Sequence, residues 1–292
     1  PPLFDNIFAA IEKWMRELLT GMVESNMSTM FTDVNEKTSE IAAQVGRTPQ
    51  NWNSSVFSMI QNLSESVVVP IAGIIITLVL CYELISMLTE RNNLHDVDTW
   101  MFFKYFVKAW VAIYLVSNTF TITMAVFDVG QSVVNSASGI INGETAIGVS
   151  SLSMQMQAAM ATMEIGELVV LALETFLVSF CMKIMSVVIT VIVYGRMIEI
   201  YLYTSLAPIP FATMSNREWG HVGTNYFRGL FALAFQAFLM MVCVAIYAAL
   251  ISSVRISSNM HSALIGVAAY TVILCFSLMK TGSLSKQIFG SH

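Results

Sequence analysis

Residues 66–88, SVVVPIAGIIITLVLCYELISML, run for 23 residues with a single ionisable carboxylate, Glu83. As a helix rising ~1.5 Å per residue, such a run crosses the ~30 Å hydrocarbon core of a bilayer. In lipid every backbone N–H and C=O must be satisfied within the segment, so a lone apolar run of this length is a transmembrane helix. Pro70 lies about one turn in, where a missing N–H costs little. Only 11% of the chain is charged, against about 25% in soluble domains. The fold class follows: an all-α polytopic helical membrane protein.

Four more runs have this character, near 106–127, 166–195, 229–251 and 262–279. Between Lys108 and Lys183 there is no Lys or Arg. Translocated loops are poor in basic residues and cytoplasmic ones rich, so residues 128–164 read as an external loop. Arg91, Lys104, Lys108, Arg217, Arg228, Lys280 and Lys286 then fall inside, with Arg255 the exception among the short loops. The expected topology has the N-terminus outside, the C-terminus cytoplasmic, and residues 65–292 as the transmembrane domain. Residues 1–64 form an extracytoplasmic amphipathic helical region. Its first helix, 3–22, sets Leu3, Phe4, Ile7, Phe8, Ile11, Trp14, Met15, Leu18, Leu19 and Met22 on one side and Asp5, Glu12, Lys13, Arg16 and Glu17 on the other. A second helical pattern follows from Met27 to Val45, and a third begins at Thr48 as cap with Pro49 in the first helical position.

The stretch YLYTSLAPIPFATMSNREW, 201–219, starts as a membrane helix and meets Pro208 and Pro210. Residues before proline avoid the helical region, so Ala207 and Ile209 are expected to leave it. That makes 200–216 a broken or re-entrant segment, either an elbow or a dip from the cytoplasmic side. Five spans is the expectation, and a sixth crossing at 197–214 is the alternative. A straight helix over 165–207 would be about 64 Å long, twice the core.

No catalytic constellation is present. His95, His221, His261 and His292 have no partner at metal-ligand spacing, and no motif calls for a cofactor. Cys81, Cys181, Cys243 and Cys275 lie singly in apolar runs and read as small buried hydrophobes. A net charge of −5 without a basic cluster argues against a nucleic-acid surface, so any DNA is handled indirectly. Glu83, Glu174 and Lys183 are ionisable groups inside apolar runs and need partners. Glu174 and Lys183 lie on opposite faces of one helix, so each must pair with another helix or another copy. Arg196 and Glu199, at i and i+3, are placed to pair locally. Small-residue pairs at helical spacing, Gly229 with Ala232, Ala245 with Ala249 and Ser262 with Gly266, suit close helix packing.

The segments TPQNWNSSVFSMIQNLSESVVVPIAGIIITLVLCYELI, YGRMIEIYLYTSLAPIPFATM and NYFRGLFALAFQAFLMMV, in this order, resemble the TrbL-like polytopic inner-membrane subunit of conjugative type IV secretion systems, in the form carried by Gram-positive mobile elements. The resemblance implies a channel or scaffold subunit in the bacterial cytoplasmic membrane, associated with a secretion ATPase and pilin-like subunits. It implies no catalytic residue. A homo-oligomer is expected from the residues themselves: Glu174 and Lys183 need partners beyond their own helix, the late spans carry small-residue faces, and residues 3–22 carry an apolar stripe. A secondary transporter or small ion channel, using the broken helix and the buried Glu and Lys, is the rival reading.

The basic-free stretch makes a testable demand. A cysteine at Ser136 should react with an impermeant thiol reagent from outside the cell, and one at Ser285 should not; the reverse pattern inverts the topology.

Overall fold

The computed structural model describes residues 2–89, 99–141, 149–254 and 260–291. Arg91, His95, Arg255 and His292 lie outside the described residues. Among the described residues there are helices and turns, and no strand. The helices are α1 (Pro2–Val45), α2 (Pro49–Trp52), α3 (Ser54–Leu63), α4 (Val69–Thr89), α5 (Thr99–Ser117), α6 (Thr119–Ile141), α7 (Val149–Met160), α8 (Ile165–Ser205), α9 (Pro208–Thr213), α10 (Gly220–Ser252) and α11 (Met260–Ile288). One π-helical turn, Ser64–Val68, joins α3 to α4.

Five helical stretches are long and apolar enough to cross a membrane: Ser54–Thr89, Thr99–Ser117, Ile165–Ser205, Gly220–Ser252 and Met260–Ile288. A separate crossing at 197–214 does not exist. Met197–Ser205 is the tail of α8, and α9 has six residues. The second span differs from the expected 106–127, because the run is interrupted at Asn118. There the Asn118 amide donates to Tyr114 O, and the Thr119 hydroxyl donates to Leu115 O and Val116 O. Side chains that bond back to the preceding turn bend a helix. The expected loop 128–164 is largely helical. α6 runs to Ile141, with Val126, Phe127 and Val134 buried, and α7 follows from Val149.

The chain divides into two compact units, residues 1–45, 137–193 and 240–279, and residues 46–136, 194–239 and 280–292. In the first, α1 is one 44-residue helix rather than two patterns in series. Gly21 alone does not stop it, since a helix glycine costs only about 1 kcal/mol. Val23, Met27, Met30, Ile41 and Val45 are buried. Arg16 donates to Met163 O at 2.8 Å, the Ser179 hydroxyl to Asn26 O at 3.3 Å, and Lys37 to the Thr190 hydroxyl at 3.3 Å. The residue numbers rise together along both helices, so α1 runs parallel to the N-terminal part of α8. The region read as extramembrane and the run read as a span at 166–195 therefore share one layer.

In the second unit Thr48 caps α2, its hydroxyl accepting from Asn51 N at 3.3 Å with Pro49 at the helix start. Two apolar clusters build the core. Ile60, Phe120, Phe127, Met197, Ile200 and Leu233 join α3, α6, α8 and α10. Ala72 and Ile76 of α4, Ala112 and Val116 of α5, and Phe211 and Ala212 of α9 form the other. Of the small-residue pairs, Gly229 meets Tyr203 closely and Ala232 is buried, whereas Gly266 faces open space and Ala249 is exposed. Cys81 and Cys181 are exposed on their helices, unlike the buried Cys275. Ser285 is 1% exposed and donates to Ala232 O, so the neighbouring exposed Ser283 is the better inside reporter for thiol labelling.

A Cβ on Gly130 would lie 2.9 Å from Ala234 O, on the backbone of α10. Gly130→Ala should therefore cost about 1–3 kcal/mol by overpacking and lower the melting temperature in detergent. Gly21→Ala, where a Cβ meets nothing within 4 Å, should gain about 0.5–1 kcal/mol.

Candidate functional site at the proline elbow

Where α8 ends, four carbonyls lose their helical partners, and where α10 begins, four N–H groups do. At membrane depth such groups need protein cover. At the α8 end, the Thr204 hydroxyl bonds Ile200 O at 2.9 Å and the Ser205 hydroxyl bonds Leu202 O at 2.8 Å. The Tyr226 hydroxyl donates to Tyr203 O at 2.7 Å, and the Tyr203 hydroxyl returns to Tyr226 O at 3.3 Å. The two rings stack with centroids 4.5 Å apart and 7° between planes. This clasp ties the last turn of α8 to the first turns of α10.

Between them the chain does not leave the helical region as expected. Ala207 has φ −51 and ψ −39, and Pro208 takes the first position of α9, where no N–H is needed. The turn is closed by Ala207 N to Thr204 O at 3.3 Å and Ile209 N to Leu206 O at 3.2 Å. Packing overrides the pre-proline preference, because α9 lies against α4 and α5 with Phe211 and Ala212 buried. Gly223 lets α10 approach it, since a Cβ there would lie 2.5 Å from Pro210 O. The segment is thus an elbow covered by protein rather than a long unwound stretch.

After α9, Asn216 caps the entry to α10. Its Oδ1 accepts from Glu218 N at 2.7 Å and Trp219 N at 3.1 Å, and its carbonyl accepts from Gly220 N at 2.9 Å. The Tyr82 hydroxyl donates to both Glu218 oxygens at 3.0 and 3.1 Å, and the Tyr82 ring stacks on Trp219 at 5.6 Å. Beside these groups lies a polar cleft of ≈ 120 Å³. Tyr82, Tyr203, Tyr226 and Asn216 carry no chemical motif, and only the SNRE run after the prolines signals a cap.

The buried-charge candidates separate into pairs and exceptions. Glu83 pairs with Lys108 at 2.5 Å. Glu174 pairs with His261, on α11, as its need for a partner on another helix implied. Arg196 and Glu199 do not pair. Glu199 instead meets Lys286 at 3.0 Å, while Arg196 is 7% exposed, with Nη2 on Leu233 O at 3.3 Å and Nε without a partner. Lys183 is exposed, and among the described residues it makes no ion pair. Trp14 is exposed on α1 with Phe4, Phe8 and Ile11. Among the described residues no three His, Cys, Asp or Glu side chains gather as a metal site.

The chain has the described order of helices and a span ending at a proline elbow. A family model described as TrbL/VirB6 plasmid conjugal transfer like protein matches residues 34–208, more than half of the chain. The chain belongs to this family. It is a multi-pass membrane component of conjugal transfer, that is, of type IV secretion, and works with other components of that apparatus. TrbL/VirB6-like proteins are structural parts of conjugation. No curated protein and no solved structure matches the chain. The matched residues take in α8 and stop at Pro208, at the start of the elbow.

Replacing Pro208 and Pro210 together by Ala restores two N–H donors and lets α8 run on straight, which withdraws Phe211 from its cluster. Membrane insertion should remain intact while transfer falls; full transfer by the double variant would make the elbow incidental.

Proposed function

We propose that the protein is a homo-oligomeric wall subunit of a translocation channel in the bacterial cytoplasmic membrane. The observation that carries this reading is the length of an apolar stripe on α8. Val169, Leu173, Phe176, Phe180, Ile184, Val187, Val191, Ile198 and Leu202 are all exposed along it. From Val169 to Leu202 the helix rises about 50 Å. The hydrocarbon core covers ~30 Å, or ~39 Å of a helix tilted by 40°. At least about 10 Å of stripe is therefore left for protein to cover, and a second copy offers the same apolar surface. Lys183 within the stripe supports this, because an ammonium among Phe180, Ile184 and Val187 requires a carboxylate or water.

A path rather than a bare scaffold is supported by the opposite character of α1. Between Ser25 and Ser39 its exposed residues, among those described, are Ser25, Ser28, Thr32, Glu36 and Ser39, with Glu17, Leu18 and Met22 exposed before them. Lipid does not cover such a face, while water does. Its carboxylates repel phosphates, so transferred DNA would pass without being held, in keeping with an indirect contact. In this reading the N-terminus is outside, the C-terminus is cytoplasmic, and a secretion ATPase and pilin-like subunits are the partners.

A photo-crosslinking residue placed at Leu173 or Phe180 in intact membranes should give a ladder of defined multiples of the chain. Adducts to lipid alone, at both positions, would leave the protein a monomer and sink the channel-wall reading.

A further inference from the structure

The cleft beside the elbow is lined by Tyr82, Glu83 and Ser86 near the end of α4 and by Asn216, Arg217 and Glu218 after α9. Asn216 is 4% exposed. Its Oδ1 is taken by two backbone N–H groups, which fixes the amide orientation, and its Nδ2 is left buried without a partner. A buried donor left unpaired is costly, and its residue forms part of the wall of a cavity of ≈ 120 Å³. Arg217 is exposed and, among the described residues, makes no ion pair. The cleft also holds two carboxylates with accepting capacity to spare. Glu83 is bonded to Lys108 at 2.5 Å, and Glu218 accepts from the Tyr82 hydroxyl.

Both signs of charge meet in one small space, and that selects the ligand. A bare anion would meet Glu83 and Glu218, and a bare cation would meet Arg217. A group carrying a phosphate and a primary ammonium satisfies all of them. The surroundings name its source. The cleft lies within about two turns of the α4 end, beside the stacked Tyr82 and Trp219 rings, and aromatic side chains of this kind sit at headgroup level. Leu78 and Ile85, exposed on α4, offer apolar surface for an acyl chain. The geometry points to a headgroup site for a zwitterionic aminophospholipid, with its phosphate on Arg217 and Asn216 Nδ2 and its ammonium toward Glu83 and Glu218.

This site is independent of oligomeric assembly and is tested on detergent-extracted, delipidated protein. Native mass spectrometry would follow titration with phosphatidylethanolamine, phosphatidylglycerol or phosphatidylcholine of equal chain length, with inorganic phosphate as a separate arm. Phosphatidylethanolamine should be retained about tenfold more strongly than the other two, the effect of one charge-assisted bond. Phosphatidylcholine tests the ammonium, because a quaternary nitrogen donates no hydrogen bond. Arg217→Gln and Asn216→Asp should each weaken retention of all three lipids, whereas Glu218→Gln should remove the preference for phosphatidylethanolamine. Asn216→Asp keeps the oxygen that caps α10, and Arg217 is exposed, so Arg217→Gln decides alone if the other variant does not fold. Equal retention of the three lipids, or retention undiminished by Arg217→Gln, overturns the proposal. Stronger retention of phosphatidylglycerol overturns the zwitterionic assignment, and a thermal shift from inorganic phosphate equal to that from lipid reassigns the cleft to a free anion.

Discussion

Between Ser205 and Gly220 the backbone leaves one long apolar helix and enters another, so its freed hydrogen-bonding groups need partners, and much of the second unit answers that requirement. The hydroxyls of Thr204 and Ser205 return to their own helix, and Tyr226 reaches back to the Tyr203 carbonyl. Asn216 closes the far side by accepting two N–H groups with one oxygen. Apolar cover comes from α4 and α5, whose Ala72, Ile76, Ala112 and Val116 receive Phe211 and Ala212. Small residues recur at these contacts because a backbone that turns in lipid needs near neighbours, and alanine and glycine permit them.

Charge placement follows a related logic. Glu83, Glu174 and Glu199 each find a basic partner on a different helix, Lys108, His261 and Lys286. Pairs that join separate helices penalise sliding of one against the other, since any other register leaves an ion unpaired in a medium that tolerates it poorly. Arg196 stands apart. Its guanidinium is buried with Nη2 on Leu233 O, makes no ion pair among the described residues, and has the Glu199 carboxylate nearby. Burial of such a group costs free energy that its hydrogen bond and the nearby carboxylate only partly offset.

The two outward faces in the first unit complete the picture. α8 presents branched and aromatic side chains from Val169 to Val191, while α1 beside it presents serine, threonine and glutamate between Ser25 and Ser39 and apolar side chains at Trp14, Leu18 and Met22.

How much of this was legible in the chain depends on the range of the interaction concerned. Helix type and the number of crossings are set locally, by run length and by the need to satisfy backbone groups without water, so five apolar helices could be read directly. Thr48 with Pro49 was legible for the same reason, since a cap bonds three residues away. Pro208 and Pro210 marked the place of the elbow but not its shape, because the pre-proline preference of Ala207 gave way to the burial of Phe211 between two distant helices. Glu199 had Arg196 one turn away and instead met Lys286, 87 residues along the chain. The packing of α1 along α8 was likewise invisible, because its bonds link residues about 150 positions apart. The sequence by itself determined that this chain is a bundle of membrane helices with one corner, through forces that act within a few residues. Only the tertiary structure decided what covers the corner and which charges meet, because those depend on surfaces that folding alone brings together.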